Sequence, residues 1–73
     1  MPLAMMKEGD RVRITDIRGA DAVKKHLGSL GFIPGAIVTV VQIADGNMIM
    51  GLSDSRIAVN RETAMRIMVE PFA

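Results

Sequence analysis

Apolar and polar residues alternate in the first part of the chain, which is the pattern of a short strand that buries one face. In residues 10–17, Val12 and Ile14 occupy one set of alternating positions, and polar residues occupy the other. Ile17 falls out of step with this alternation. We therefore expect the strand to end or to bulge near Asp16.

Four further segments have the β-branched residues and the flanking turn signals of strands. They are residues 37–44, residues 48–52, residues 56–59 and the segment around Ile67 and Val69. Before the first of them, Pro34-Gly35 predicts a type II turn in which Gly35 takes a positive φ. Asp45-Gly46 predicts a tight hairpin turn, and the short connections make strands two to five antiparallel.

A helix is predicted after the first strand, because Val23, Leu27 and Leu30 recur at helical spacing. Asp21 lies where an acidic residue stabilises the first turn. Gly31 suits the left-handed position that ends a helix. We expect Leu27 and Leu30 to anchor this helix on the sheet.

Together these elements predict one mainly β domain, residues 1–73. Its fold class is a small five-stranded barrel with one short helix after the first strand and one helical turn, capped by Asn60, before the last strand. A chain of 73 residues builds a thin core, and curling into a barrel hides the two edge strands of its sheet. Residues 1–6 are apolar but reach Lys7 too soon for a signal peptide, and we expect them to form a loose leader.

Composition excludes several classes of protein. The chain has no cysteine, which excludes a disulfide framework and favours a reducing, cytoplasmic location. Nine basic and eight acidic residues give a formal net charge of +1, so the chain as a whole has no general attraction for nucleic acid or anionic lipid. Residues 27–44 carry no charge over almost the length of a membrane span, but Pro34-Gly35 would break such a helix. We interpret this run as a helix end, a turn and a strand.

The residues that carry chemistry do not form a recognisable site in the sequence. His26 is the only histidine, and it lies beside two lysines, which favours a surface position over a metal ligand. The acidic residues are scattered among turns, where they bond to local backbone, rather than paired for acid–base catalysis. We therefore expect no catalytic residue, no metal site and no cofactor, and hence no enzyme.

Methionines and basic residues leave two alternatives open. Met48 and Met50 share one face of a strand and are expected in the core, whereas Met65, Met68 or the methionines of the leader could form an adaptable contact patch.

Basic residues in the first third of the chain are interleaved with acids, so they form either a solvated face or a surface that guides an acidic partner by electrostatic attraction. These basic residues are Arg11, Arg13, Arg18, Lys24 and Lys25.

Two longer segments resemble the FeoA family, small proteins of the bacterial ferrous iron transport system. The first contains Leu-Gly-Phe-Ile-Pro-Gly at residues 30–35, followed by Val-Thr-Val at residues 38–40. The second contains Ile-Ala-Val at residues 57–59 and Glu-Thr-Ala at residues 62–64. The resemblance extends over about residues 9–70.

This resemblance implies an SH3-like barrel that serves as an accessory to FeoB, a ferrous iron permease with a cytosolic GTPase domain. No contact with nucleic acid is expected, and the membrane is reached only through this partner. We place the partner contact at the helix end and the following turn, where apolar area is expected to remain exposed. The residues concerned are Leu30, Phe32, Ile33, Pro34 and Gly35, with Ile37, Val41 or Ile43 as further candidates for exposure.

Two other functions remain as alternatives. One is a free-standing small-barrel module that binds nucleic acid, which the charge balance and the absence of Trp and Tyr disfavour. The other is a repressor-type SH3-like domain that binds a proline-rich segment.

Overall fold

The structure, a computed structural model, describes residues 1–72. Its first strand, β1, runs from Arg11 to Ile17 and contains the bulge that was predicted near Asp16. Val12, Ile14 and Ile17 are buried, and the register opposite the last strand shifts between Ile14 and Asp16. This bulge brings Ile17 to the core face although it is out of step with Val12 and Ile14.

Five antiparallel strands form one sheet in the order β4-β3-β2-β1-β5. A helix, α1, follows β1, and a second helix, α2, connects β4 to β5. The bounds of the remaining elements are β2 Ile37–Ala44, β3 Asn47–Leu52, β4 Ser55–Asn60, β5 Ile67–Pro71, α1 Asp21–Ser29 and α2 Arg61–Arg66. The end strands β4 and β5 both contribute side chains to one core, which confirms the small five-stranded barrel.

The predicted turns have the predicted backbone. Gly35 has a φ of +93°, and the Ala36 N–H donates to the Ile33 carbonyl over 3.0 Å, which closes the type II turn. Asp45 and Gly46 both have positive φ, as a type I′ hairpin between β2 and β3 requires. Before α2, the Asn60 side chain accepts a bond of 2.8 Å from the Thr63 N–H, so the predicted N-cap is confirmed.

The core is a single cluster of apolar side chains that come from every strand and both helices. Met48 and Met50 both lie in it, as predicted from their shared strand face. Phe32 and Leu3 are its two largest fully buried side chains. No polar or charged residue among residues 1–72 is buried. No helix in this part of the chain combines the length and the apolar character that a membrane crossing requires.

The expectation of a loose leader at residues 1–6 is wrong. The Met1 amino group donates to the Val69 carbonyl over 3.0 Å, and the Val69 N–H donates back to the Met1 carbonyl over 2.7 Å. Pro2 bridges to Met68, a 3₁₀ turn follows at Leu3–Met5, and Leu3 is fully buried. The physical reason is that β5 is an edge strand with unpaired backbone groups, and the N-terminal segment satisfies some of them.

Replacing Leu3 tests whether this segment is part of the fold. We expect Leu3→Ala to lower the free energy of unfolding by about 3 kcal/mol, because it removes a fully buried side chain and leaves a cavity. Met5→Ala, at an exposed position of the same segment, is the control and should change it by less than about 0.5 kcal/mol. Both are measured by urea denaturation, and equal effects of the two variants would contradict the role assigned to Leu3.

Candidate docking surface

The end of α1 is fixed by a backbone motif that directs the chain back toward the core. The Gly31 N–H donates to the Gly28 carbonyl, and the Phe32 N–H donates to the Leu27 carbonyl, both over 3.0 Å. With Gly31 at a φ of +102°, these two bonds form a Schellman motif. A hydrophobic contact with the helix usually accompanies this motif at the second residue after the cap, which here is Phe32.

The segment from Leu30 to Ala36, which we call the 30–36 loop, is held by backbone bonds throughout. Every N–H in it has a backbone carbonyl partner, Pro34 having no N–H to donate. One of these bonds, from the Gly35 N–H to the Ile14 carbonyl over 2.7 Å, ties the turn to β1. The Ile14 N–H donates to the Ala36 carbonyl over 2.9 Å on the same side. The loop therefore presents its side chains from a rigid backbone.

The five residues predicted to contact a partner do not all reach the surface. Ile33 is 52% exposed and Leu30 is 37% exposed, and Pro34 and Gly35 are exposed as well. Phe32 is fully buried, so its assignment as a contact residue is wrong. Leu27 and Leu30 were both expected to anchor the helix on the sheet. Of these two residues, only Leu27 is buried.

An open groove of about 480 Å³ lies beside the 30–36 loop. Leu30 and Gly31 of the loop line it, together with Leu52 at the end of β3 and Ser53 directly after that strand. A Cβ on Gly31 would lie 3.0 Å from the Leu52 Cδ2 atom, so glycine permits both the positive φ and this close approach. The contribution of the β3 end was not predicted, because it is about twenty residues away in sequence and only the sheet brings it to the loop.

Two further apolar side chains are exposed as the sequence suggested. Val41 and Ile43 lie in the second half of β2 and are each about two-fifths exposed, whereas Ile37 is half-buried. The register of β2 against β3 shifts between Val40 and Gln42, a bulge that the sequence did not indicate. Val41 lies in this bulge and Ile43 follows it, both in a part of β2 that β1 does not pair with.

The candidate charged residues lie at the surface of α1 and of the sheet. His26, Lys24 and Lys25 lie on the exposed face of α1. Arg13 is paired with Glu70 over 3.0 Å at the surface. Within residues 1–72, no three His, Asp or Glu side chains lie together in a way that could hold a metal ion.

The fold and its loop define a class of small β-barrel domain found in ferrous iron transport proteins. The model of the FeoA domain matches residues 1–71 of the chain. A protein of Methanocaldococcus jannaschii, named as an Fe(2+) transport protein A, is 36% identical over 69 residues, which cover 94% of this chain and 84% of that protein.

Solved structures show the same similarity in three dimensions. The crystal structure of an iron uptake regulatory protein (FeoA) superposes with a TM-score of 0.91 at 29% identity, covering 99% of this chain and 97% of that one. The solution structure of the FeoA protein from Chlorobium tepidum also gives a TM-score of 0.91, at 28% identity, and covers 100% of this chain and 71% of that one. The chain belongs to the FeoA family, whose members are named for ferrous iron transport.

Two glycines near the 30–36 loop should respond in opposite directions to the same substitution. Gly35→Ala should lower the free energy of unfolding by about 1 kcal/mol or more, because a side chain is strained at a φ of +93° although the space around it is open. Gly28→Ala should raise it by up to about 1 kcal/mol, because alanine favours the helix and its Cβ would make an ordinary contact of 3.7 Å with Ile33. Denaturation curves measure both, and a stabilising Gly35→Ala would contradict the type II turn.

Proposed function

We propose that this protein is a non-enzymatic accessory of ferrous iron uptake that docks on the cytosolic part of a FeoB-type permease and modulates it. Membership of the FeoA family supports the link to ferrous iron transport. This role places the protein in the cytoplasm and brings it to the membrane through its partner alone. In this role the protein contributes a contact surface. The distinctive features of this surface are apolar side chains on the rigid 30–36 loop.

Ile33 is the observation that carries the proposal. It is the most exposed large apolar side chain outside the N-terminal methionines, and it lies on a loop whose backbone N–H groups are all bonded. A rigid loop loses little conformational entropy when a partner covers it, so more of the burial energy appears as affinity. Covering the exposed half of an isoleucine contributes about 1 kcal/mol, and the neighbouring groove beside Leu30 extends the buried area.

Replacing Ile33 with a polar residue tests this contact. Ile33→Asn should weaken binding to the purified cytosolic region of the permease about five-fold or more, which corresponds to about 1 kcal/mol, and should leave the melting temperature nearly unchanged. Ile43→Asn is the matched control, because Ile43 is a similarly exposed isoleucine that lies on β2 outside the loop. Binding is measured by titration calorimetry, and melting is followed by circular dichroism.

The possible results separate cleanly. If Ile33→Asn melts normally and binds as tightly as the unmodified chain, the loop is not the docking surface. If both isoleucine variants bind equally poorly, the contact is not specific to the loop. If the unmodified chain shows no binding at all to the cytosolic region, the proposed partner is wrong.

A further inference from the structure

A second groove crosses the outer face of the sheet, next to the first but without any residue of the 30–36 loop. It has a volume of about 410 Å³. Cross-strand pairing places Arg56 of β4, Gly51 of β3, Thr39 of β2 and Arg11 of β1 in one row across the sheet. Ile37, Val41 and Ser53 complete its lining.

The charge of this groove differs from that of the chain as a whole. Two arginines line it and no acidic residue does, although the net charge of the chain is only +1. Within residues 1–72, ion pairs join Arg13 to Glu70 and Arg66 to Glu62, and neither includes Arg11 or Arg56. Two arginines without carboxylate partners make the groove a local region of positive charge.

Both arginines are held in place by their neighbours. The Arg11 guanidinium carbon lies 5.0 Å from the centre of the Phe72 ring, a cation–π distance. Arg56 lies over Gly51, where a Cβ would come within 3.4 Å of the Arg56 Nη1 atom and within 3.1 Å of the Val41 Cγ2 atom. Glycine in the middle of a strand is less favourable than alanine, and here it leaves the space that Arg56 occupies.

We propose that this groove binds an extended acidic segment of a protein partner, with one carboxylate on Arg11, a second on Arg56 and an apolar side chain between them on Ile37 and Val41. Three strand spacings put the Cα atoms of Arg11 and Arg56 roughly 15 Å apart, and side chains four residues apart on an extended chain lie about 13 Å apart on one face. Arginine forks bind carboxylates with two parallel bonds, which suits them to this ligand. The segment therefore has the pattern acid-x-apolar-x-acid.

The proposal does not depend on the permease, because the probe is a short peptide and the groove shares no residue with the 30–36 loop. The peptide acetyl-Glu-Ser-Val-Ser-Glu-amide is titrated into the isotopically labelled full chain and followed by amide chemical shifts. We expect saturable shifts centred on Thr39, Gly51 and Arg56, and weaker binding as the salt concentration rises. The peptide acetyl-Gln-Ser-Val-Ser-Gln-amide should bind at least five-fold more weakly.

Arginine variants test which groups bind the peptide. Arg11→Gln and Arg56→Gln should each weaken binding at least three-fold. Arg13→Gln should change it less than two-fold, because Arg13 is the next outward-facing arginine on β1 and also lies against Phe72, but it is paired with Glu70 and does not line the groove. Spectra of each variant without peptide show whether it keeps the fold.

Four results would overturn the proposal. They are equal binding of the two peptides, equal effects of Arg13→Gln and Arg11→Gln, shifts that centre on the 30–36 loop, and saturation of the same amides by inorganic phosphate or a single-stranded oligonucleotide at a lower concentration than the acidic peptide. The last result would assign the groove to phosphate groups instead of carboxylates. None of them bears on the docking of Ile33 to the permease, which has its own test.

Discussion

The bond from the Phe32 N–H to the Leu27 carbonyl decides which side chains of the 30–36 loop reach the core and which reach water. It reverses the chain at the end of α1 and brings the Phe32 ring to full burial, while the next residue, Ile33, is left more than half exposed. Gly31 makes this reversal possible through its positive φ and its close approach to Leu52. The same backbone motif therefore contributes Phe32 to the core and leaves Ile33 exposed at the candidate docking surface.

The thin core explains why so much of this chain is structural. Small domains bury a low fraction of their surface, so each buried side chain contributes a large share of a marginal stability. Leu3 comes from the N-terminal 3₁₀ turn, Ala64 from α2 and Phe32 from a loop, and all three are fully buried in one cluster with the strands. The segment before β1 also pairs with β5, so it both fills the core and protects an edge of the sheet.

Charges act only at the surface of this domain, because no polar or charged residue among residues 1–72 is buried. The positions of the charged residues indicate a local basic region, although the net charge of the chain does not. A net charge of +1 gives no reason to expect an electrostatic site, yet the sheet gathers Arg11 and Arg56 at one groove that no acidic residue lines. In this way the protein carries two neighbouring surfaces of different character, one apolar at the 30–36 loop and one basic across the sheet.

Local features of the sequence determined the five strands, the bulge near Asp16, the two tight turns, the end of α1 and the N-cap of α2, because each depends on backbone preferences within a few residues. The exposure of Ile33 was also predicted, from an excess of apolar residues over what one barrel face needs. The helix end also indicates that Phe32 folds back on the last turn of α1, although Phe32 was assigned to the partner contact as well. The packing of Leu3 was not predicted, because it depends on where the edge of β5 lies relative to the rest of the chain.

Only the tertiary structure shows that Arg11 and Arg56 line the same groove. They are 45 positions apart in the sequence, and three successive strand pairings place them in one row across the sheet. Periodicity tells which face of a strand a residue occupies, but it does not tell which residue lies opposite on the next strand. The sequence by itself determined the elements and the family of this protein, and the strand register decided its grooves, because register is set by pairing between distant segments.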